Sequence, residues 1–338
     1  MRPPRPPDLL WLAALLAAGL AAGVRPGLGR DRSQGAAEGG AGEAASGALR
    51  VRIEGPSTIP FDCPSGLVIM TARLNGRAHV RLLLDTGDPS GFTLDTATAR
   101  AIGLPLSERT PTRATGVVGS ERYTLYRARV GSFLLGGLSA RDLSIWTAPD
   151  AVLIAKTIGI QVDGFVGVDL LRGIVVTIDY PARQITFTPP GSGRRPAAPA
   201  GTRFMPMRLE GNRIVFEALL NGSERRAVIL DTAAGTTFVA ESDRDLTRPS
   251  PTGKTTQIVD SSGSAVSVPV RILPRLQLGD AVVEDAPVVP FDFEALNRDL
   301  FAGTPHTVAG IIGSDILSRH VVILDFPGRA LAVLSGGP

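Results

Sequence analysis

Cysteine is almost missing from this chain: Cys63 is the only one in 338 residues. No disulfide can therefore close within it, and no zinc site can be built on thiolates. Histidine is scarce as well. His79, His306 and His320 stand far apart without ligand spacing, and a Cys–His nucleophile would need Cys63 to meet one of them in space. Lysine occurs twice, at Lys156 and Lys254, so nearly all the positive charge is arginine. Net charge is +3, aromatics make up 5% of residues, and no basic block is interleaved with aromatics. Nucleic acid is not an expected partner. There is no Gly-x-Ser-x-Gly and no His-Glu-x-x-His, which removes the usual serine-hydrolase and zinc-protease signatures. Thr252-Gly253-Lys254-Thr255 imitates the end of a phosphate-binding loop, but Arg248 stands where the first glycine belongs. Pro249 and Pro251 spoil that loop further, so no nucleotide and no other cofactor is expected.

Glycine and proline, by contrast, are plentiful, at 39 and 27 residues, which implies many turns and few long helices. At the N-terminus Arg2 and Arg5 precede an apolar stretch from Leu9 to Val24, with small residues at Ala21-Ala22-Gly23. Residues 1–23 fit a signal peptide or an uncleaved signal anchor that would tether the chain to a membrane. No cysteine follows the apolar run, so lipidation has no support, and export is the expected fate. Residues 24–49 are a low-complexity spacer of Gly, Ala, Ser and scattered charge that cannot bury enough apolar surface to order itself. They would serve as tether or prosequence. The Arg-, Ala- and Gly-heavy composition hints at a GC-rich bacterial genome and hence a periplasm. A second break, rich in Pro and Gly, covers residues 191–202. It divides the body into residues 50–190 and 203–338, each long enough for its own core.

Those two halves repeat one pattern at a constant offset of 146 positions. The offset relates Leu84-Asp85-Thr86-Gly87 to Leu230-Asp231-Thr232-Ala233, Asn75-Gly76 to Asn221-Gly222, and Phe92 to Phe238. It also relates Gly164-Phe165-Val166-Gly167 to Gly310-Ile311-Ile312-Gly313, and Asp179-Tyr180-Pro181 to Asp325-Phe326-Pro327. Five landmarks at one spacing indicate an internal duplication. Ala78 to Leu84, Arg226 to Leu230, Ile174 to Ile178 and Val321 to Leu324 read as strands. Thr96 to Ile102 reads as a short helix with Asp95 as N-cap and Gly103 and Pro105 as stops, and single helical turns are expected at Asp169–Leu171 and Asp315–Leu317. The predicted class is all-β: two barrel-like lobes related by a pseudo-two-fold axis, with a cleft between them.

From about Leu67 to Leu334 the chain resembles the aspartic proteases, combining lobes of retropepsin-like length with the fused two-lobe arrangement of the pepsins. Leu84-Asp85-Thr86-Gly87 is similar to the catalytic triplet of that family. Phe165-Val166-Gly167 and Ile311-Ile312-Gly313 are similar to its hydrophobic-hydrophobic-Gly element, which crosses beneath the catalytic loop. The resemblance implies an endopeptidase acting on a polypeptide with Asp85 and Asp231 as catalytic dyad, water as nucleophile and no metal. It implies that Thr86 and Thr232 bond across the dyad and that Gly87 and Ala233 offer N–H groups to the carboxylates. Because both aspartates lie in one chain, a monomer is expected. A covering hairpin is expected at Gly116, Val117, Val118 and Gly119 in the first copy, not at Ile258–Gly263 in the second. Tyr123 and Tyr126 on its return strand would face the cleft or pack.

Two positions depart from the family pattern. Ala233 stands where glycine is usual, and Asp88 follows the first triplet where a small residue is usual. Asp88 reads first as a solvated turn carboxylate; the sharper reading is a third charge that disfavours ionisation of the dyad. The alternative function is the same two-lobed fold without turnover, a peptide-binding or structural module.

Overall fold

Leu82, Leu83 and Leu84 end the strand Ala78–Leu84, and all three are buried. Successive side chains on a strand point to opposite faces, so such a run reports a strand covered on both sides. Leu82 and Leu84 belong to the core with Val68, Met70 and Val166, while Leu83 packs on the opposite face with Leu67, Ile69 and Phe165. The computed structural model describes residues 51–88, 91–115, 120–149, 152–191, 198–259, 265–301 and 306–335. The expected signal segment (1–23), the spacer (24–49) and the hairpin tip Gly116, Val117, Val118 and Gly119 lie outside the described residues.

Each half closes a six-stranded barrel. In the first, Ile69–Leu74, Ala78–Leu84, Gly164–Val166, Phe92–Asp95, Leu138–Ala148 and Ser120–Leu135 follow one another, and pairing of Arg73 with Leu134 and of Leu74 with Phe133 closes the ring. In the second, Arg213–Leu220, Glu224–Leu230, Gly310–Ile312, Phe238–Ala240, Ala281–Phe291 and Arg271–Leu278 do the same, closed at Leu219–Gln277 and Leu220–Leu276. Closure leaves few unpaired edges, and the fold is the expected all-β pair of lobes.

Three strands from each half join the lobes in one antiparallel sheet, in the order Ser57–Pro60, Gln184–Thr188, Val175–Asp179, His320–Asp325, Ala330–Ser335, Met205–Glu210. At its centre Thr177 pairs with Ile323, and the flanking pairs Val176–Leu324 and Ile178–Val322 exchange places under the 146-residue offset. The pseudo-two-fold axis therefore passes through the Thr177–Ile323 pair. The hairpin turns obey the same symmetry. Asn75 and Gly76 lie at φ 50° and 73°, Asn221 and Gly222 at 50° and 79°, the left-handed pairs that two-residue hairpins require.

One landmark does not survive folding. Phe92 and Phe238 share the offset in sequence, but they are not structural equivalents. Phe238 pairs with Ile311, whereas Thr93, not Phe92, pairs with Phe165. The loop after Asp85 is thus one residue longer than the loop after Asp231. A slip of one residue moves a side chain to the other face of its strand. Phe92 accordingly packs inside the first barrel, 5.5 Å from Phe133, and Phe238 packs outside the second, 5.8 Å from Phe291.

The same slip decides how the next helix starts. Asp95 caps Thr96–Ala101 as predicted, accepting from the backbone N–H of Ala97 at 3.0 Å and of Thr98 at 3.4 Å. Its structural counterpart is Ala240, which has no capping side chain, and there the chain forms the 3₁₀ segment Glu241–Leu246. The strand Leu106–Thr115 and the start of Ser120–Leu135 form a hairpin around the undescribed tip. The second half folds a hairpin as well, Thr255–Val259 against Ala265–Pro269. Sequence patterning assigned this feature to the first copy alone; burial of Thr256, Ile258 and Val259 draws the second into regular pairing.

Candidate active site

Each aspartate leaves its strand between two neighbours. The strand Ala78–Leu84 runs parallel to Gly164–Val166, with Leu84 beside Val166, and Glu224–Leu230 runs parallel to Gly310–Ile312, with Leu230 beside Ile312. The last ladder bonds fix the departure points: the N–H of Asp85 donates to the Val166 carbonyl at 2.9 Å, and that of Asp231 to the Ile312 carbonyl at 3.0 Å. Both aspartates are fully buried.

The two loops are locked across the axis by their threonines. The Thr86 hydroxyl donates to the Leu230 carbonyl at 2.8 Å and accepts from the Thr232 N–H at 3.0 Å. Reciprocally, the Thr232 hydroxyl donates to the Leu84 carbonyl at 2.6 Å and accepts from the Thr86 N–H at 3.2 Å. Four buried bonds between the two barrels hold the aspartate loops in register, and each would leave a buried orphan if its partner were removed.

Within each loop one carboxyl oxygen is clamped. Oδ1 of Asp85 accepts from the N–H groups of Gly87 (3.0 Å) and Asp88 (2.9 Å). Oδ1 of Asp231 accepts from Ala233 (2.9 Å) and Ala234 (3.0 Å). The two Oδ2 atoms are buried and have no hydrogen-bond partner among the described residues. The loops also press together. A Cβ built on Gly87 would lie 2.3 Å from Asp231 Oδ2 and 2.6 Å from its Cγ. Gly87 is thus required for space, because its φ is not in the left-handed region. Ala233 likewise has an ordinary φ, and its methyl joins an apolar cluster with Leu67, Leu83 and Phe165. That is why alanine is accommodated there.

Burial governs the electrostatics. It pushes the Asp85 carboxyl well above the usual carboxylate range, and the charges of Asp231 and Asp88 push in the same direction, against the two N–H bonds. Burial raises Asp231 as well, to about 6, while the N–H groups of Ala233 and Ala234 and the charge of Arg213 hold it down. Asp88 corrects the sequence reading: it is 3% exposed, not a solvated turn residue. Its N–H is spent on Asp85 and its carbonyl accepts from Val168 at 3.4 Å, which draws the residue inward.

Arg213 went unnoticed in the sequence. It begins the strand Arg213–Leu220, is 2% exposed, and lies one step beyond the Ile214–Leu230 pair, opposite Asp231. The 146-residue offset held the clue, since the matching position in the first copy is Leu67. Asp315 was also overlooked. Its carboxylate accepts from the Thr237 hydroxyl at 2.7 Å and the Thr237 N–H at 3.1 Å, bracing the second loop; burial raises it to about 6. Tyr126 is half-buried on its strand, and the Tyr123 side chain lies outside the described residues.

A family model described as aspartyl protease matches the chain twice, over residues 70–170 and 216–316. The two matches are separated by the same 146 positions as the internal repeat. No curated protein matches the chain.

Proposed function

The chain belongs to the aspartyl protease family, and on that footing we propose that it is an endopeptidase whose dyad is Asp85 and Asp231. The observation that carries this reading is the symmetric treatment of the two carboxyls: both Oδ1 atoms clamped by paired N–H groups, both Oδ2 atoms left for chemistry. Two buried carboxyls this close cannot both ionise comfortably, so they share one proton over a useful pH range. The ionised member takes a proton from water as the water oxygen attacks the peptide carbonyl carbon. The protonated member gives its proton to the carbonyl oxygen. The resulting tetrahedral gem-diol collapses as the protonated carboxyl gives its proton to the departing amine nitrogen, the C–N bond breaks, and the ionised carboxyl takes the proton of one gem-diol hydroxyl, which restores the shared proton. No acyl-enzyme forms.

A single chain brings both aspartates, so it acts as a monomer on polypeptide substrates. Export through residues 1–23 would place it in a periplasm, attached to the membrane if that segment is kept. Sequencing the N-terminus of the mature protein tests the last point. The activity is tested by incubating a denatured protein mixture from acidic to neutral pH with the parent, Asp85→Asn and Asp231→Asn. Cleavage by the parent alone is expected. Cleavage that survives either substitution would refute the dyad, and no cleavage by the parent at any pH would favour a peptide-binding module.

A further inference from the structure

The dyad is symmetric in its hydrogen bonds and asymmetric in its surroundings. In the first lobe the position opposite Asp85, two steps beyond the Ile69–Leu83 pair, is Leu67, buried in one apolar cluster with Ala233. Under the two-fold axis the counterpart of Leu67 is Arg213 and that of Ala233 is Gly87. The counterpart of Ala234 is Asp88. Where one side of the junction has a leucine and two alanines, the equivalent positions on the other hold an arginine, a glycine and an aspartate. Arg213 and Asp88 come from different lobes, and both are almost fully buried. A buried charge is tolerated only when it is compensated.

We propose that Arg213 and Asp88 form a cross-lobe charge pair that decides where the dyad's proton resides, leaving it on Asp85 and making Asp231 the ionised base. Arg213 is a positioning residue in this scheme, since it acts through Asp231 and not on substrate. Asp88 sits in the Asp85 loop, with its own N–H on Asp85 Oδ1 at 2.9 Å, and its negative charge disfavours ionisation of Asp85. Arg213 lies one residue past the Ile214–Leu230 pair that ends the ladder before Asp231, and its positive charge bears on Asp231. The electrostatics agree. Asp88 leads the attractions that keep Arg213 charged against burial, followed by Asp231 and Asp85; burial and the Asp88 charge push both dyad carboxyls up, but Asp231 has the Arg213 charge to hold it down, whereas Asp85 is pushed up further by Asp231. The other titratable groups nearby do not reverse this order. Glu210 pairs with Arg213 across the strands but is bound to Arg208 at 3.4 Å. Tyr180, which feels the charges of Cys63 and Asp231, is kept neutral by burial.

The inference rests on the proteolytic reading, but it can be measured without turnover. Carboxyl ¹³C shifts of aspartate-labelled protein, assigned with Asp85→Asn and Asp231→Asn, give the titration midpoints directly. In the parent Asp231 should titrate below Asp85. Arg213→Leu, which installs the first lobe's residue, should raise the Asp231 midpoint by about one pH unit or more, and Arg213→Lys should restore it. The double variant Arg213→Leu/Asp88→Ala buries no uncompensated charge and should fold even if Arg213→Leu does not; its two midpoints should converge. The acid limb of kcat/KM should follow Asp231 in every variant. An Asp85 midpoint below that of Asp231 in the parent, or parent-like midpoints in the double variant, would overturn the assignment. A parent that shows the expected order but cleaves nothing would keep the charge pair and discard the protease.

Discussion

The two lobes share a backbone and differ in how they support it. Both present an aspartate between parallel strands, clamp its Oδ1 with two N–H groups and send a threonine across the axis. Around that shared frame the first lobe has a longer loop, a capped helix, a glycine pressed against the opposite carboxyl and a buried Asp88. The second has a shorter loop braced by Asp315, a 3₁₀ segment without a cap, and Arg213 opposite its aspartate. What must be identical for two carboxyls to meet is the strand register and the threonine lock. Everything one residue further out is open to divergence, and that divergence lets two like residues hold different charges.

The comparison breaks most completely if either carboxyl is lost. Asp85→Asn or Asp231→Asn should lower kcat/KM on a cleaved peptide by about 10³-fold or more, since each loses half of an acid–base pair. The same substitution should stabilise the protein at neutral pH. Burial pushes the Asp231 carboxyl up to about 6 in the folded protein, above its ordinary value of 3.8, so the folded state holds its proton more tightly than the unfolded one. Stability then falls as pH rises from about 4 to about 6. Thermal unfolding at pH 7 should show Asp231→Asn above the parent, and the gap should close by about pH 4; a gap independent of pH would contradict the shift.

Exchanging the third residue of the two loops should show that they are not interchangeable. Gly87→Ala forces a methyl into the space of Asp231 Oδ2, and a displacement of about 1 Å at a reacting group costs on the order of 10²-fold in rate. Ala233→Gly removes only a methyl from an apolar cluster, and kcat/KM should stay within about tenfold of the parent. Equal losses in both variants would mean that the loops are equivalent after all.

Removing one side of the threonine lock is expected to weaken the junction of the lobes more than their activity per folded molecule. Thr232→Ala deletes one donor and one acceptor and leaves buried groups of the first lobe unpaired, for a loss of about 2–3 kcal/mol by denaturant unfolding. Thr86→Ala should cost a similar amount, and the double variant should cost less than their sum because the bonds are reciprocal. Smallest is the effect at the helix starts. Asp95→Ala should destabilise by about 1 kcal/mol, while Ala240→Asp should be neutral or slightly stabilising. A larger change at Ala240 than at Asp95 would show that the cap is not what separates α-helix from 3₁₀ helix there.

Local signals were legible wherever a short stretch carries its own geometry. Asp95 followed by Thr-Ala-Thr-Ala and then Gly103 gave the helix, the Asn-Gly pairs gave the hairpin turns, and apolar runs ending in Asp-Thr gave the strands beneath the site. The failures have one origin. Phe92 and Phe238 look equivalent by position but face opposite ways, because facing depends on ladder register, which an inserted loop residue alters. Asp88 looks like a surface turn residue, but its N–H is bound to Asp85 and its carbonyl to Val168, which draws it inward. Arg213 looks like a strand-edge charge, and only the meeting of the lobes brings the charges of Asp85 and Asp88 to bear on it beside that of Asp231.

Sequence by itself therefore determined that this chain is a duplication, which residues form the two aspartate loops, and that their lobes are built from strands. These are properties of spacing and of side-chain periodicity along one segment. Tertiary structure alone decided that Gly87 lies against Asp231, that four threonine bonds span the axis, and that the two aspartates differ in electrostatic surroundings. Those depend on contacts between residues about 146 positions apart, and burial and charge act through space, not along the chain.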